Sequence, residues 1–301
     1  MKRPLLFIVI LLGLTACAQQ VTPVPSTHTP EPIPPTLVAL PTTTASPLAP
    51  TPTFAPGAWM AQPVTPVFSN NVRHIYQRGL QLGRDSNRFS KAGDCESTTG
   101  WYLAEFDGDP PTYRLGEYAY LQPTIDYYAG SFKRESLAVR RGANTSSLLT
   151  TLWADPDQCR SGESMLACEF RVHNPSIVLI AVGTNDVVSV DTFEDQMRRI
   201  IEYTISEGVI PVLSTKADNF EGDHLINSII ARLAYEYDIP FWNFWLAVQP
   251  LPAHGLSSDG VHLTFAGNLF DDPVNMQKAW PWRNLTALQT LDVLRTGLGL
   301  P

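Results

Sequence analysis

Apolar and polar positions recur with two different periods through the middle of the chain. Ile177-Val178-Leu179-Ile180-Ala181-Val182 is a continuous apolar run closed by Gly183. A run that short, rich in β-branched residues, predicts a strand buried on both faces. From Thr192 to Glu207 the period changes. Phe193, Met197, Ile200, Ile201 and Ile205 recur at helical spacing, and Gly208 ends the pattern. Val209-Ile210-Pro211-Val212-Leu213 predicts a second strand. Asp223 to Tyr237 is helical again, through Leu225, Ile226, Ile229, Ile230, Leu233 and Ala234. Ile239-Pro240-Phe241-Trp242-Asn243-Phe244 predicts a third strand. Strand, helix, strand, helix, strand with near-continuous apolar strands predicts an α/β fold whose parallel central sheet is covered on both faces. Pro211 and Pro240 fall near strand starts, where a missing N–H is tolerated.

The N-terminal pattern is different. Met1-Lys2-Arg3-Pro4 is followed by the apolar run Leu5 to Leu14. That is a secretory signal, too short for a spanning helix. It ends in Leu14-Thr15-Ala16-Cys17, which resembles a bacterial lipobox. The resemblance implies a signal peptide at 1–16, lipidation of Cys17, and a lipoprotein anchored in a membrane at the bacterial cell surface or envelope. The competing reading is an ordinary signal peptide with a chance cysteine. Residues 18–57 then hold 11 of the chain's 26 prolines, and Glu31 is their only charged residue. Such a segment cannot bury enough apolar surface to fold, and it favours extended polyproline II. Fully extended, at ~3.1 Å per residue, it would reach on the order of 120 Å. The sequence therefore divides into the signal peptide, a Pro/Thr-rich linker at 17–57, and a folded domain at 58–301.

Charge and cysteines narrow the function. A formal net charge of −8 argues against a nucleic-acid partner. The four cysteines are Cys17, Cys95, Cys159 and Cys168. In an exported protein Cys159 and Cys168, flanking a short polar segment, are expected to form a disulfide. A zinc site there would want two more ligands at suitable spacing, and no nearby His or Cys provides them. Cys95 is left over. It is either buried and inert or a reactive thiol.

Three polar islands carry chemistry. They are Gly93-Asp94-Cys95-Glu96-Ser97, Gly183-Thr184-Asn185-Asp186 and Ser258-Asp259-Gly260-Val261-His262. The first two sit at carboxyl ends of expected strands, where α/β sheets bind ligands, and the third follows the last one. Acyl transfer needs a nucleophile, a base, a group orienting the base, and oxyanion donors. Cys95, His262 and Asp259 can fill the first three roles. The N–H groups of Cys95 and Gly142 and the amide of Asn185 can be the donors.

This set resembles the SGNH (GDSL-like) hydrolases. Gly93-Asp94-Cys95 matches the family's Gly-Asp-Ser block with Cys for Ser, and Gly142 matches the glycine block. Gly183-Thr184-Asn185-Asp186 matches Gly-x-Asn-Asp, and Asp259-Gly260-Val261-His262 matches Asp-x-x-His. The matches span residues 85–270 in the family's order. The resemblance implies a three-layer flavodoxin-like fold. It also implies an acyl-ester hydrolase that uses neither cofactor nor metal and takes a small-molecule or polysaccharide ester, such as a glycan O-acetyl group. The alternative is the same fold with a dead site, a carbohydrate-binding or accessory lipoprotein of the envelope.

Other residues have plainer readings. A helix starting at Cys95 would lower its thiol pKa, His262 would lower it further, and Glu96 would oppose this. On such a helix Ser97 faces away, as a capping or surface hydroxyl. Asp94 and Asp186 read as local backbone anchors. His74, His173, His224 and His254 read as surface or loop residues. Lys216-Ala217-Asp218-Asn219 is expected to rim the site, and the aromatic cluster from Trp242 to Trp245 to pack the core. Asn284-Leu285-Thr286 fits a glycosylation sequon that is uninformative in a bacterial lipoprotein.

Overall fold

The computed structural model describes Ala55, residues 57–98 and residues 100–301. The signal peptide, Cys17 and most of the linker lie outside the described residues. Four parallel strands form the sheet: β1 (Asp85–Gly93), β2 (Pro175–Ala181), β3 (Ile210–Ser214) and β4 (Phe241–Trp242), in that spatial order. Outside β1, Val139 makes a single parallel bridge to Gly93. Counting that segment as a strand gives the chain order 2-1-3-4-5, the flavodoxin-like arrangement. The direction of winding reverses between β1 and β2, so the crevice beyond their carboxyl ends is where such folds bind ligands.

Among the described residues, eight α-helices surround the sheet: α1 (Asn70–Gln81), α2 (Gln122–Tyr127), α3 (Thr145–Leu149), α4 (Met165–His173), α5 (Val190–Ser206), α6 (Leu225–Glu236), α7 (Phe244–Val248) and α8 (Ala279–Leu298). One layer runs α4, α3, α5, α6, each touching the next. In the other, α8 packs on α2 and α7, and Arg73 of α1 donates to the Gly297 carbonyl of α8 at 2.7 Å. No described helix is long and apolar enough to cross a membrane.

Local chemistry explains the boundaries. Ser69 and Ser164 cap α1 and α4 by accepting from Val72 N and Ala167 N. The expected stripe of α5 is buried at Phe193, Met197, Ile200 and Ile201. On α6 the stripe is buried from Ile226 to Ala234, while Leu225 is exposed. The third strand is shorter than the sequence pattern predicts. Asn243 is the reason: its side chain accepts from Leu246 N at 3.3 Å and starts α7 at Phe244. Trp242 and Phe244 are fully buried, so the aromatic cluster does pack the core. Fully burying each such side chain is worth about 1.5–3 kcal/mol relative to exposure.

A buried polar network fixes the outer edge of the sheet. Glu169 of α4 is fully buried and takes a two-pronged contact from Arg134 at 2.7 and 2.6 Å. It also accepts from Leu137 N at 2.8 Å and from the Ser90 hydroxyl of β1. The segment so anchored then pairs with Gly93, through Gly93 N to Ala138 O at 3.0 Å and Arg140 N to Gly93 O at 3.1 Å. Cys159 and Cys168 are joined as a disulfide on the same side, as the sequence predicts.

Candidate active site

The arm that carries Cys95, the candidate nucleophile, begins where β1 ends. A Cβ on Gly93 would lie 2.2 Å from the Ala181 carbonyl and 2.4 Å from Ser97 Oγ, so only glycine permits the turn. Asp94 anchors it by accepting from Glu96 N at 3.0 Å. Residues Cys95–Ser97 form a single 3-10 turn rather than the α-helix expected from sequence. Ser97 is neither a surface nor a capping hydroxyl: it is fully buried beneath Gly93. Cys95 is partly exposed and is the free cysteine among the described residues.

The base arm is a small hairpin closed by the antiparallel bridge between Leu256 and Leu263. Within it Asp259 Oδ1 accepts from Ser257 Oγ at 2.8 Å, Val261 N at 2.9 Å and His262 N at 3.0 Å. Asp259 Oδ2 accepts from His262 Nδ1 at 2.7 Å. With Nδ1 carrying that proton, neutral His262 turns the lone pair of Nε2 toward Cys95 Sγ, 3.7 Å away. The structure thus brings Asp259, His262 and Cys95 into one chain of contacts. The two arms are tied by Leu263 N donating to Glu96 Oε1 at 3.4 Å.

Gly142 and Asn185 stand at the same end of the sheet. Gly142 has φ +77°, and a Cβ there would meet only Trp153, at 4.0 Å. Its glycine answers a left-handed backbone conformation. Asn185 Nδ2 donates to Ala143 O at 3.1 Å and to Asp94 Oδ2 at 3.3 Å. Serving an oxyanion therefore requires releasing one of these, and the longer contact to Asp94 is the weaker. Asp186 anchors the neighbouring turn by accepting from Thr145 N and Oγ1.

The electrostatics differ from the sequence expectation. Burial, then the charges of Asp94 and Glu96, push the Cys95 thiol up to about 11. A three-residue turn has no useful dipole to oppose this. Burial also lifts Asp94 to about 7 and raises Glu96. The Asp259 contact raises His262, while backbone and side-chain donors hold Asp259 well below the carboxylate range. His173 is buried on the Phe89 carbonyl, at 3.0 Å, and not on the surface; burial drives it down to about 4.

Several neighbours were not legible in sequence. Arg283 of α8 is buried among Tyr102, Phe244 and Trp242, with its guanidinium 4.8, 5.0 and 5.4 Å from their ring centres. Its Nε donates to Glu96 O at 3.0 Å and so supports the Cys95 turn from below. Lys216 is buried but still lines the cavity beside the site, together with Ala217, Asp218, Asp94, Glu96 and Leu263, and it pairs with Asp218 at 2.7 Å and Glu221 at 2.5 Å. Asp218 in turn accepts from Thr184 Oγ1 at 2.7 Å, bracing the turn before Asn185. Asn284 is buried on Trp101 O and Asn268 Oδ1, which rules out the sequon as an acceptor in the folded chain.

No family model matches the chain, and no curated protein matches it. Among solved structures it is similar to the psychrotrophic esterase EstA from Pseudoalteromonas sp., at 13% identity over 69% of this chain and 97% of that one, with a TM-score of 0.43. It is also similar to the acetyl xylan esterase AlAXEase, at 18% identity over 67% and 97% of the two chains and a TM-score of 0.42. A GDSL-like lipase from Bacteroides thetaiotaomicron matches at 16% identity over 75% and 98%, with a TM-score of 0.39.

Proposed function

We propose that this protein is an envelope-tethered hydrolase of an acyl ester, with Cys95 as nucleophile, His262 as base and Asp259 as the group that orients the base. The observation carrying this reading is the unbroken contact chain Asp259–His262–Cys95, at 2.7 and 3.7 Å, beyond the carboxyl end of β1. In the first step the Cys95 sulfur attacks the ester carbonyl carbon while its proton passes to His262 Nε2. Asp259 steadies the imidazolium. The N–H groups of Cys95 and Gly142 and the Asn185 amide receive the oxyanion. His262 then protonates the departing alkoxide, leaving a thioester on Cys95. Water, deprotonated by His262, cleaves that thioester and releases the acid. The scheme needs no cofactor.

A polysaccharide O-acetyl ester suits this site best. The triad opens to solvent, with Asp259 and His262 about half exposed. Trp101 and Phe265, 48% and 56% exposed, pair edge-to-face at 4.7 Å in the segments just after the nucleophile and the base. Exposed aromatic faces there offer stacking surface to a sugar ring. Lipidation at Cys17 and the proline-rich linker would hold the domain away from a bacterial membrane.

The test is hydrolysis of p-nitrophenyl acetate by the full chain carrying Cys17→Ala, before and after complete alkylation of Cys95. Turnover that disappears on alkylation supports the reading; unchanged turnover removes the thiol from the mechanism. A second reading, an inactive carbohydrate-binding lipoprotein, is favoured by one observation: the thiol is pushed up to about 11, so little thiolate rests in the site. That reading expects acetylated glycan to bind without release of acetate.

A further inference from the structure

Beyond ester hydrolysis, we propose that Cys95, His262 and Glu96 form a zinc-binding site that closes the nucleophile and base to substrate. One ligand atom from each residue lies within 4.8 Å of the other two. Two ligands of a tetrahedral zinc, at ~2.3 Å for sulfur and ~2.05 Å for imidazole nitrogen, stand about 3.6 Å apart. The Cys95 Sγ to His262 Nε2 separation is 3.7 Å, which matches that spacing. A sulfur, an imidazole and a carboxylate are also the ligand types that favour zinc over magnesium or calcium.

The surroundings resemble the support that zinc-binding histidines receive elsewhere. His262 gives its other ring nitrogen to Asp259 at 2.7 Å, which fixes the tautomer and aims Nε2. Asp259 is itself held by three further donors. Glu96 has a carboxylate oxygen, Oε2, that is buried without a hydrogen-bond partner among the described residues. Its backbone is pinned by Arg283 at 3.0 Å, so the carboxylate is presented from a fixed position. On binding, the thiol proton leaves to solvent and sulfur, nitrogen and carboxylate donate to the ion. Three protein ligands leave a fourth position for water. Zinc binding stands on this geometry alone; only its inhibitory consequence rests on the hydrolase reading.

The test uses the full chain with Cys17→Ala. Cys159 and Cys168 are paired, so Cys95 is then the sole free thiol. Zinc titrated against a colorimetric chelator is expected to bind at one equivalent with micromolar or tighter affinity. Cobalt in its place is expected to give a thiolate-to-metal charge-transfer band. Cys95→Ser, the conservative change, should lose that band, and His262→Ala and Glu96→Gln should each weaken zinc by tenfold or more. No binding up to millimolar zinc overturns the proposal. So does a cobalt spectrum unchanged in Cys95→Ser, or an unchanged affinity in Glu96→Gln. Ester turnover without zinc binding sinks this site and spares the hydrolase; zinc binding without turnover in the metal-free chain does the reverse.

Discussion

The nucleophile arm and the base arm meet at one point but are built in opposite ways. The nucleophile arm emerges from a buried strand: Lys91 and Asp94 are 1% and 2% exposed. There burial decides protonation. It drives Lys91 down to about 7, Asp94 up to about 7 and Cys95 up to about 11, each toward its neutral form. The base arm lies in solvent, and hydrogen bonds decide. Donors from Val261 and His262 keep Asp259 ionised, and Asp259 in turn favours the charged imidazole. A neutral thiol therefore faces a base primed to take a proton. The difference teaches that a cysteine in a nucleophile's place is not a ready-made thiolate. On the proposed mechanism, proton transfer then accompanies attack, as it does for a serine.

The comparison breaks most visibly at the nucleophile. Cys95→Ala should lower p-nitrophenyl acetate turnover by on the order of 10⁴-fold or more, as for loss of one member of a catalytic triad. Cys95→Ser should turn over at least as fast as wild type, because the arm holds its nucleophile protonated in either case. A serine variant as dead as the alanine one would mean that the arm is built for sulfur. Asn185→Ala should cost roughly 10²–10³-fold in kcat with the fold kept, the usual effect of deleting one oxyanion donor. Wild-type kcat in that variant would mean that Asn185 only links Asp94 to Ala143.

Much of this architecture was legible because it is periodic or local. The strands at 177–182 and 209–213 and the helices after them announce themselves by spacing, and the structure places them within a few residues. The third strand is shorter than its pattern predicts because the Asn243 cap sits inside an aromatic run that looks like strand. The edge segment at Val139 was invisible: one bridge leaves no apolar pattern. At the site, Cys95, Asp259 and His262 fall in short motifs. Arg283 does not, since it lies 187 positions from Glu96 and acts only through contact in the fold. The direction of the thiol's pKa shift is not legible in sequence for a related reason. Its sign depends on burial and on turn length, and neither is written in three residues.

Alkylation measures the resting thiol directly. At neutral pH iodoacetamide should modify Cys95 about 10–100-fold more slowly than an ordinary thiol with pKa near 8.5. The loss of thiolate is only partly offset by the greater nucleophilicity of a more basic sulfur. Glu96→Gln should speed the reaction, because one of the two charges raising the thiol is gone. A rate equal to that of a free cysteine would show that burial does not govern this arm.

The mildest effect reaches the foundation of the same arm. Lys91 sits on β1 with its ammonium nitrogen 2.9 Å from the Phe132 carbonyl, and burial lowers it from 10.5 to about 7. Its folded value thus lies below its unfolded one, so the unfolded chain binds more protons between these limits. Stability must then rise with pH from about 7 upward and be lost as pH falls toward 7, at no more than ~1.4 kcal/mol per unit. Denaturant unfolding at pH 7 and at pH 8.5, compared between wild type and Lys91→Met, isolates the effect, because Asp94, His262 and the unfolded Cys95 thiol titrate alike in both proteins. Wild type should gain stability across it. Lys91→Met, which removes the group without emptying its space, should be more stable than wild type at pH 7 and should gain less than wild type across the interval. Equal slopes in the two proteins would mean that Lys91 keeps its proton in the folded state. Burial would then fail to set protonation on the nucleophile arm, and the contrast with the base arm would collapse.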